Sequence, residues 1–184
     1  MIVVFDTSTL IYLFKPDAPG PMFPGTQDCV GGCSERITYL LAQLQKSKAK
    51  IIIPAPAVAE LLTYSGPAGP EWVRILTTSK HFKIAAFDTL AAIECAELAR
   101  ARLERPKAAQ GVRRKAKFDE QIVAIAKVEG ATAIYSDDAD IRKLVGDTMT
   151  VAGMADLELP PEDAQGVLIF DPAASDPEPD DDQS

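Results

Sequence analysis

Four acidic positions in this 184-residue chain share one feature: each lies beside an apolar run that should be buried. Asp6 follows Ile2-Val3-Val4-Phe5, a short β-branched run that reads as a strand covered on both faces. Glu60 lies in AVAELL, just after a second such run, Ile51-Ile52-Ile53. Asp119 lies near the start of KFDEQIVAIAK, in helical step with Ile122 and Ala126. Ser136-Asp137-Asp138-Ala139-Asp140 follows the run from Ala131 to Tyr135. Each acid has a plainer use. Asp6 and the 137–140 group can cap helices, Glu60 can be a helix's wet face, and Asp119 can sit favourably near a positive helix end. A carboxylate at the edge of a buried core is nevertheless poorly solvated and calls for a counter-charge. Gathered together, such carboxylates form an oxygen-rich site that suits Mg²⁺ or Mn²⁺ rather than a soft metal. A cation of that kind activates water and stabilises a phosphoryl transition state.

Other catalytic machinery is missing from the sequence. There is no GxxxxGK[ST] phosphate loop, no GxGxxG after the first strand and no GxSxG elbow. His81 is the one histidine, so a Ser-His-Asp site is improbable. Cys29, Cys33 and Cys95 are too few and too oddly spaced for a disulfide framework, and CVGGC lacks the further ligands of a tetrahedral zinc site. Reduced thiols are expected.

The elements that must position the acids follow from periodicity. Thr7-Ser8-Thr9 opens a short helix through Phe14. Residues 15–33 are rich in Pro and Gly and predict an extended loop. Ser34 should cap a helix whose buried face is Ile37, Leu40, Leu41 and Leu44. Helices are expected after Pro54 and over 70–79, with a third strand at 84–87. Asp88 opens a long helix striped with Glu94, Glu97, Arg100 and Glu104, broken by Pro106 and Gly111. A helix over 115–129, with Phe118, Ile122 and Ile125 on one face, stops at Gly130, and a short one from about Asp138 ends at Gly146. Residues 148–152 predict a fifth strand and 167–170 a final edge strand or docking segment. Apolar strands alternating with helices predict an α/β protein, a three-layer α/β/α sandwich on a parallel sheet of four to five strands.

Charge refines the picture. Residues 171–184 hold six acids and no base, and so account for six of the eight net negative charges. That Pro- and Asp-rich stretch is expected to be a disordered tail. Residues 100–117 carry eight bases against Glu104 alone. Arg105, Lys107, Arg113, Arg114, Lys115 and Lys117 are therefore candidate contacts for an RNA backbone, the alternative being a solvated helix end. Apolar runs are short, so no membrane span is expected. The first residues lack a basic leader, and a cytoplasmic protein is the expectation.

Three stretches together resemble the PIN domain, the fold of VapC-type metal-dependent ribonucleases. FDTSTLIYLF is similar to the family's hydrophobic-Asp-Thr-Asn/Ser opening, and IPAPAVAELL to its second motif, with Glu60 as the acid. KFDEQIVAIAKVEGATAIYSDDADIRKL resembles its most diagnostic stretch. The resemblance covers about residues 1–152, leaving 153–170 as a C-terminal docking segment. It implies hydrolysis of RNA phosphodiesters with Mg²⁺ or Mn²⁺. Asp6 and Asp119 would be the principal ligands, Glu60 and Asp138 would complete the shell, and Ser8 and Ser136 would hold the carboxylates. Asp137 and Asp140 flank Asp138 and leave the fourth acid open. The family also implies a homodimer and, for VapC-type toxins, an inhibitory antitoxin. The loop at 15–33 is longer than in compact toxins and bears on that role more than on the chemistry. A catalytically silent PIN-like module that binds RNA or protein is the alternative. A phosphatase with an Asp nucleophile would show Asp-x-Asp at the first strand, where position 8 is Ser.

Overall fold

The computed structural model describes residues 1–23, 25–105 and 113–161, the side chains of Arg113 and Arg114 excepted. Five strands form one sheet: β1 (Ile2–Phe5), β2 (Lys50–Pro54), β3 (Phe82–Ala85), β4 (Ala133–Tyr135) and β5 (Thr150–Ala152). The order is β3-β2-β1-β4-β5 and every pair is parallel. Among the described residues seven α-helices cover the sheet: α1 (Thr7–Phe14), α2 (Cys33–Lys46), α3 (Ala55–Thr63), α4 (Gly69–Thr78), α5 (Thr89–Leu103), α6 (Arg113–Val128) and α7 (Ala139–Val145).

The continuous apolar strands explain the three layers. Alternate side chains point to opposite faces. Val3, Phe5, Ile51 and Ile53 pack with Leu10, Ile37, Leu41, Leu61 and Leu76 from α1 to α4. Val4, Ile52, Ile134 and Val151 pack with Ala91, Ile122, Ile125, Ile141 and Val145 from α5 to α7. Neither face of the central strands could tolerate a polar residue. Asp6 and Asp138 therefore fall just beyond β1 and β4, where the chain turns into α1 and α7, while Glu60 and Asp119 are carried within α3 and α6.

Several boundaries differ from the sequence reading. The third strand is Phe82–Ala85 rather than 84–87, because Phe82 pairs with Ile51 and is buried, whereas Phe87 is exposed. Ser34 does not cap α2. The cap position is Gly32, two residues earlier, whose φ of 66° is left-handed and which has Leu159 2.7 Å from where a Cβ would stand. The 15–33 segment is less extended than expected. Met22 and Cys29 form an antiparallel bridge, and Val30 N donates to Pro21 O at 2.8 Å, tucking Val30 into the core. Asp119 stands in the second turn of α6, too far in for the favourable helix end proposed above.

Other expectations match. Asp88 caps α5 by accepting from Ala91 N at 2.9 Å, and Gly130 and Gly146 take positive φ after α6 and α7. Cys29, Cys33 and Cys95 are free thiols. A 3-10 turn at Met154–Asp156 buries Met154 and Leu157, and Arg36 Nη1 donates to Leu157 O; residues 162–170 of the expected docking segment lie outside the described residues. The edge strand at 167–170, the tail at 171–184 and the break at 106–111 lie outside the described residues. No helix among the described residues is long and apolar enough to cross a membrane.

Candidate active site

The sheet order reverses at β1, whose neighbours are β2 on one side and β4 on the other. A crevice opens beyond the carboxyl ends of strands at such a switch point. Here it is a cavity of about 960 Å³ lined by Asp6, Ser8, Glu60, Lys115, Asp119, Asp137 and Asp138, with Tyr64, Phe118 and Ile122 among its apolar walls. The candidate acids of β1, α3, α6 and the β4–α7 turn thus meet in one place. Asp140 is not part of the lining.

Asp6 leads into α1, yet its side chain makes no capping hydrogen bond. Oδ2 instead accepts from Ser136 Oγ at 2.8 Å and Ser8 Oγ at 3.1 Å. Asp6 N donates to Tyr135 O at 3.1 Å, which ties the end of β1 to the end of β4. Burial pushes the Asp6 carboxyl above its usual range, opposed by these hydroxyls and reinforced by Glu60. Each serine serves twice: Ser136 Oγ accepts from Asp138 N and Ser8 Oγ from Asp137 N, both at 3.1 Å.

Asp119 is 6% exposed, and its buried Oδ2 has no hydrogen-bond partner. An ionised oxygen left in that position is costly. Its pKa rises to about 7, first through burial, then through repulsion by Asp138, against the attraction of Lys115. Asp119, Asp138 and Asp140 each offer an oxygen within 4.8 Å of the others.

The three acids after β4 do different things. Asp138 caps α7 through Oδ1, which accepts from Asp140 N at 2.7 Å, while Oδ2 lies 2.9 Å from Lys115 Nζ. The capping role and the cavity role therefore coexist in one side chain. Asp140 points outward, paired with Lys115 at 2.6 Å and Lys143 at 3.0 Å, and these contacts lower its pKa. Asp137 Oδ1 accepts from Met154 N at 2.7 Å beneath Gly153, where a Cβ would lie 2.7 Å from that oxygen. Its Oδ2 is buried without a partner, and burial raises its pKa. Glu60 is exposed at the rim, on the face of α3 turned towards the cavity.

The basic stretch is less available than its composition suggests. Arg102 is buried against Glu120 and Arg100 pairs with Glu97, partners outside the 100–117 window. Lys115 is engaged by Asp138 and Asp140, and its pKa rises: burial lowers it, and the two hydrogen-bonded carboxylates more than reverse that. Arg105 and Lys117 are exposed, and Lys107 with the side chains of Arg113 and Arg114 lies outside the described residues. The sequence reading missed Lys115 as a cation inside the acidic cavity. The available signal was its spacing one turn before Asp119 on a common helix face. It also missed Tyr64, one turn beyond Glu60, and it set Phe118 on one face with Ile122 and Ile125, which are buried, whereas Phe118 is 42% exposed.

No family model matches the sequence, and no curated protein matches it. Solved structures do. VapBC2 from Rickettsia felis, bound to a DNA fragment from its promoter, aligns with a TM-score of 0.58 and 16% identity over 83% of this chain and 98% of that one. VapBC-1 from nontypeable Haemophilus influenzae aligns with a TM-score of 0.58 and 14% identity over 84% and 99%. VapC20 from Mycobacterium tuberculosis, a toxin that cleaves the sarcin-ricin loop, aligns with a TM-score of 0.50 and 14% identity over 77% and 93%. The fold of this chain is the PIN-like fold of the VapC toxins.

Proposed function

We propose that this chain is a divalent-metal-dependent endoribonuclease and the toxin of a toxin–antitoxin pair. The observation that carries the reading is the buried, unpartnered Asp119 Oδ2 in a cavity shared with Asp6, Glu60 and Asp138. Three buried or half-buried carboxylates without enough positive charge fit a hard cation, Mg²⁺ or Mn²⁺, because every donor is an oxygen. Asp119 and Asp6 would hold it directly, with Asp138 and Glu60 completing the set. When bound, such a cation supplies the positive charge that stabilises a phosphoryl transition state and makes water acidic enough to attack phosphorus.

The chain's own groups do the rest. Ser136 and Ser8 both donate to Oδ2 of Asp6 and so hold that carboxylate in one orientation. Glu60, wet and at the rim, is the group to take a proton from attacking water. Arg105, Lys107, Arg113, Arg114 and Lys117 would hold the RNA backbone beside a cavity that otherwise repels it. Partners of the similar structures support an antitoxin, and we extend to this chain a homodimer and a cytoplasmic setting.

The test is a labelled RNA pool incubated with the purified protein. Cleavage should require Mg²⁺ or Mn²⁺, stop with chelator and resume with added metal. Asp119→Asn should fall at least about 100-fold, more than the 10–100-fold typical of a ligand's supporting partners, with an unchanged circular dichroism spectrum. Equal cutting by wild type and Asp119→Asn would end the assignment. Binding without cutting would establish the silent module instead.

A further inference from the structure

Tyr64 and Phe118 are 53% and 42% exposed, and both line the acidic cavity. Their positions are not scattered. Tyr64 stands one helical turn beyond Glu60 at the end of α3, and Phe118 immediately precedes Asp119 on α6. Helices α3 and α6 pack together. Each helix that carries an acid into the cavity thus also carries an aromatic ring to its wall. Leu90, Ile93 and Leu103 on α5 and Val128 on α6 are also exposed, and none of them lines the cavity. Among the described residues the ring contacts are Phe5–Tyr135 and Phe14–Trp72, and neither involves Tyr64 or Phe118.

An acidic cavity repels the phosphate it must cut. Basic side chains beside the cavity act on the backbone, and a nucleobase adds a second handle, a flat face that stacks on an aromatic ring whatever its identity. Paired bases hide those faces, whereas unpaired ones can be splayed onto protein rings. We propose that Tyr64 and Phe118 are stacking platforms for the unpaired nucleobases flanking the scissile phosphate. This rests on the ribonuclease reading above and adds to it two residues that touch the substrate. Ring faces supply affinity and orientation, and the acids between them are left to the phosphate.

The experiment is a cycle between ring and base. First the cut position is mapped in a single-stranded RNA oligonucleotide. The base on either side is then replaced by an abasic residue, and KM and kcat are measured for wild type, Tyr64→Leu, Phe118→Leu and the double variant. Leucine keeps apolar bulk and removes the π face. In wild type each abasic position should raise KM about 5- to 150-fold, the range of one lost stack. In the leucine variant that faces that base the abasic penalty should shrink towards none. Tyr64→Phe and Phe118→Tyr should behave as wild type, and all variants should melt with wild type. If wild type cuts RNA and the leucine variants keep both its KM and its abasic penalties, stacking is overturned and the nuclease reading stands. If wild type cuts no RNA, both fall. Unchanged cleavage with altered sedimentation in the double variant would make the rings a protein interface and overturn the proposal.

Discussion

The ammonium of Lys115 lies 2.9 Å from Asp138 Oδ2, inside the cavity where a divalent cation is proposed to bind. The same nitrogen lies 2.6 Å from Asp140 Oδ2, and its field opposes the rise in the pKa of Asp119 that burial and Asp138 cause. Lysine thus supplies one positive charge to a group of acids that would otherwise repel one another. It is half-exposed, so the pairs themselves contribute little to stability. Their consequence is competition: a metal approaching Asp138 meets a resident cation.

Lys115→Gln should therefore bind Mn²⁺ more tightly. One unit charge removed at roughly 5 Å in a high-dielectric setting is worth on the order of 1 kcal/mol, or about 5- to 10-fold in Kd. Without metal the variant should melt slightly below wild type, and saturating Mn²⁺ should close the gap. Calorimetric titration reads the affinity directly. Weaker or unaltered Mn²⁺ binding would mean that Lys115 does not compete.

Stability should fall with rising pH in the metal-free protein. Asp119 titrates near 7 in the folded state against an ordinary 3.8. Between those values the folded protein keeps a proton that the unfolded chain has released. Stability is therefore greatest below the lower value and declines as pH rises through the window, by at most about 1.4 kcal/mol per unit. Asp6 and Asp137 are raised in the same direction and add to the slope. Asp119→Asn should flatten it and be the more stable protein at pH 8. Urea midpoints at pH 5 and pH 8 in chelator provide the comparison. A wild type as stable at pH 8 as at pH 5 would contradict the burial argument, and Mg²⁺ at pH 8 should recover part of the loss.

Layer assignment was open to sequence reading because the strands are short and apolar throughout. Val3-Val4-Phe5 and Ile51-Ile52-Ile53 can only be covered on both sides, and their carboxyl ends carry Asp6 and the α3 segment with Glu60. Strand ends were less legible. Phe82 belongs to β3 because Ile51 pairs with it, a relation between residues far apart in the chain. The functions of the acids after β4 were not separable by sequence either. Asp137, Asp138 and Asp140 are chemically alike, and only the positions of Met154 N and of Lys115 and Lys143 Nζ distinguish them. The basic stretch was overcounted for the same reason. Glu120, Asp138 and Asp140 neutralise it from later in the chain.

Arg102 shows what that overcounting concealed. Its Nε lies 2.5 Å from Glu120 Oε1, with side chains 9% and 1% exposed. Glu120 is the neighbour of Asp119 on α6, and α5 has only Ala91 and Arg102 as buried residues. The pair thus pins the end of α5 to the helix that carries Asp119. Arg102→Met leaves a buried, uncompensated carboxylate and should cost about 3–5 kcal/mol. Adding Glu120→Leu removes the orphaned charge, and the double variant should regain most of that loss, since apolar replacement of a buried pair is often neutral or stabilising. Urea unfolding of the two single variants and the double gives the coupling. Removal of both partners should also leave Asp119 on an intact α6, so metal binding should persist in the double variant and weaken in Arg102→Met. If Arg102→Met costs less than about 1 kcal/mol, near the value of an exposed pair, the two side chains are solvated in solution and α5 is held to α6 by other contacts.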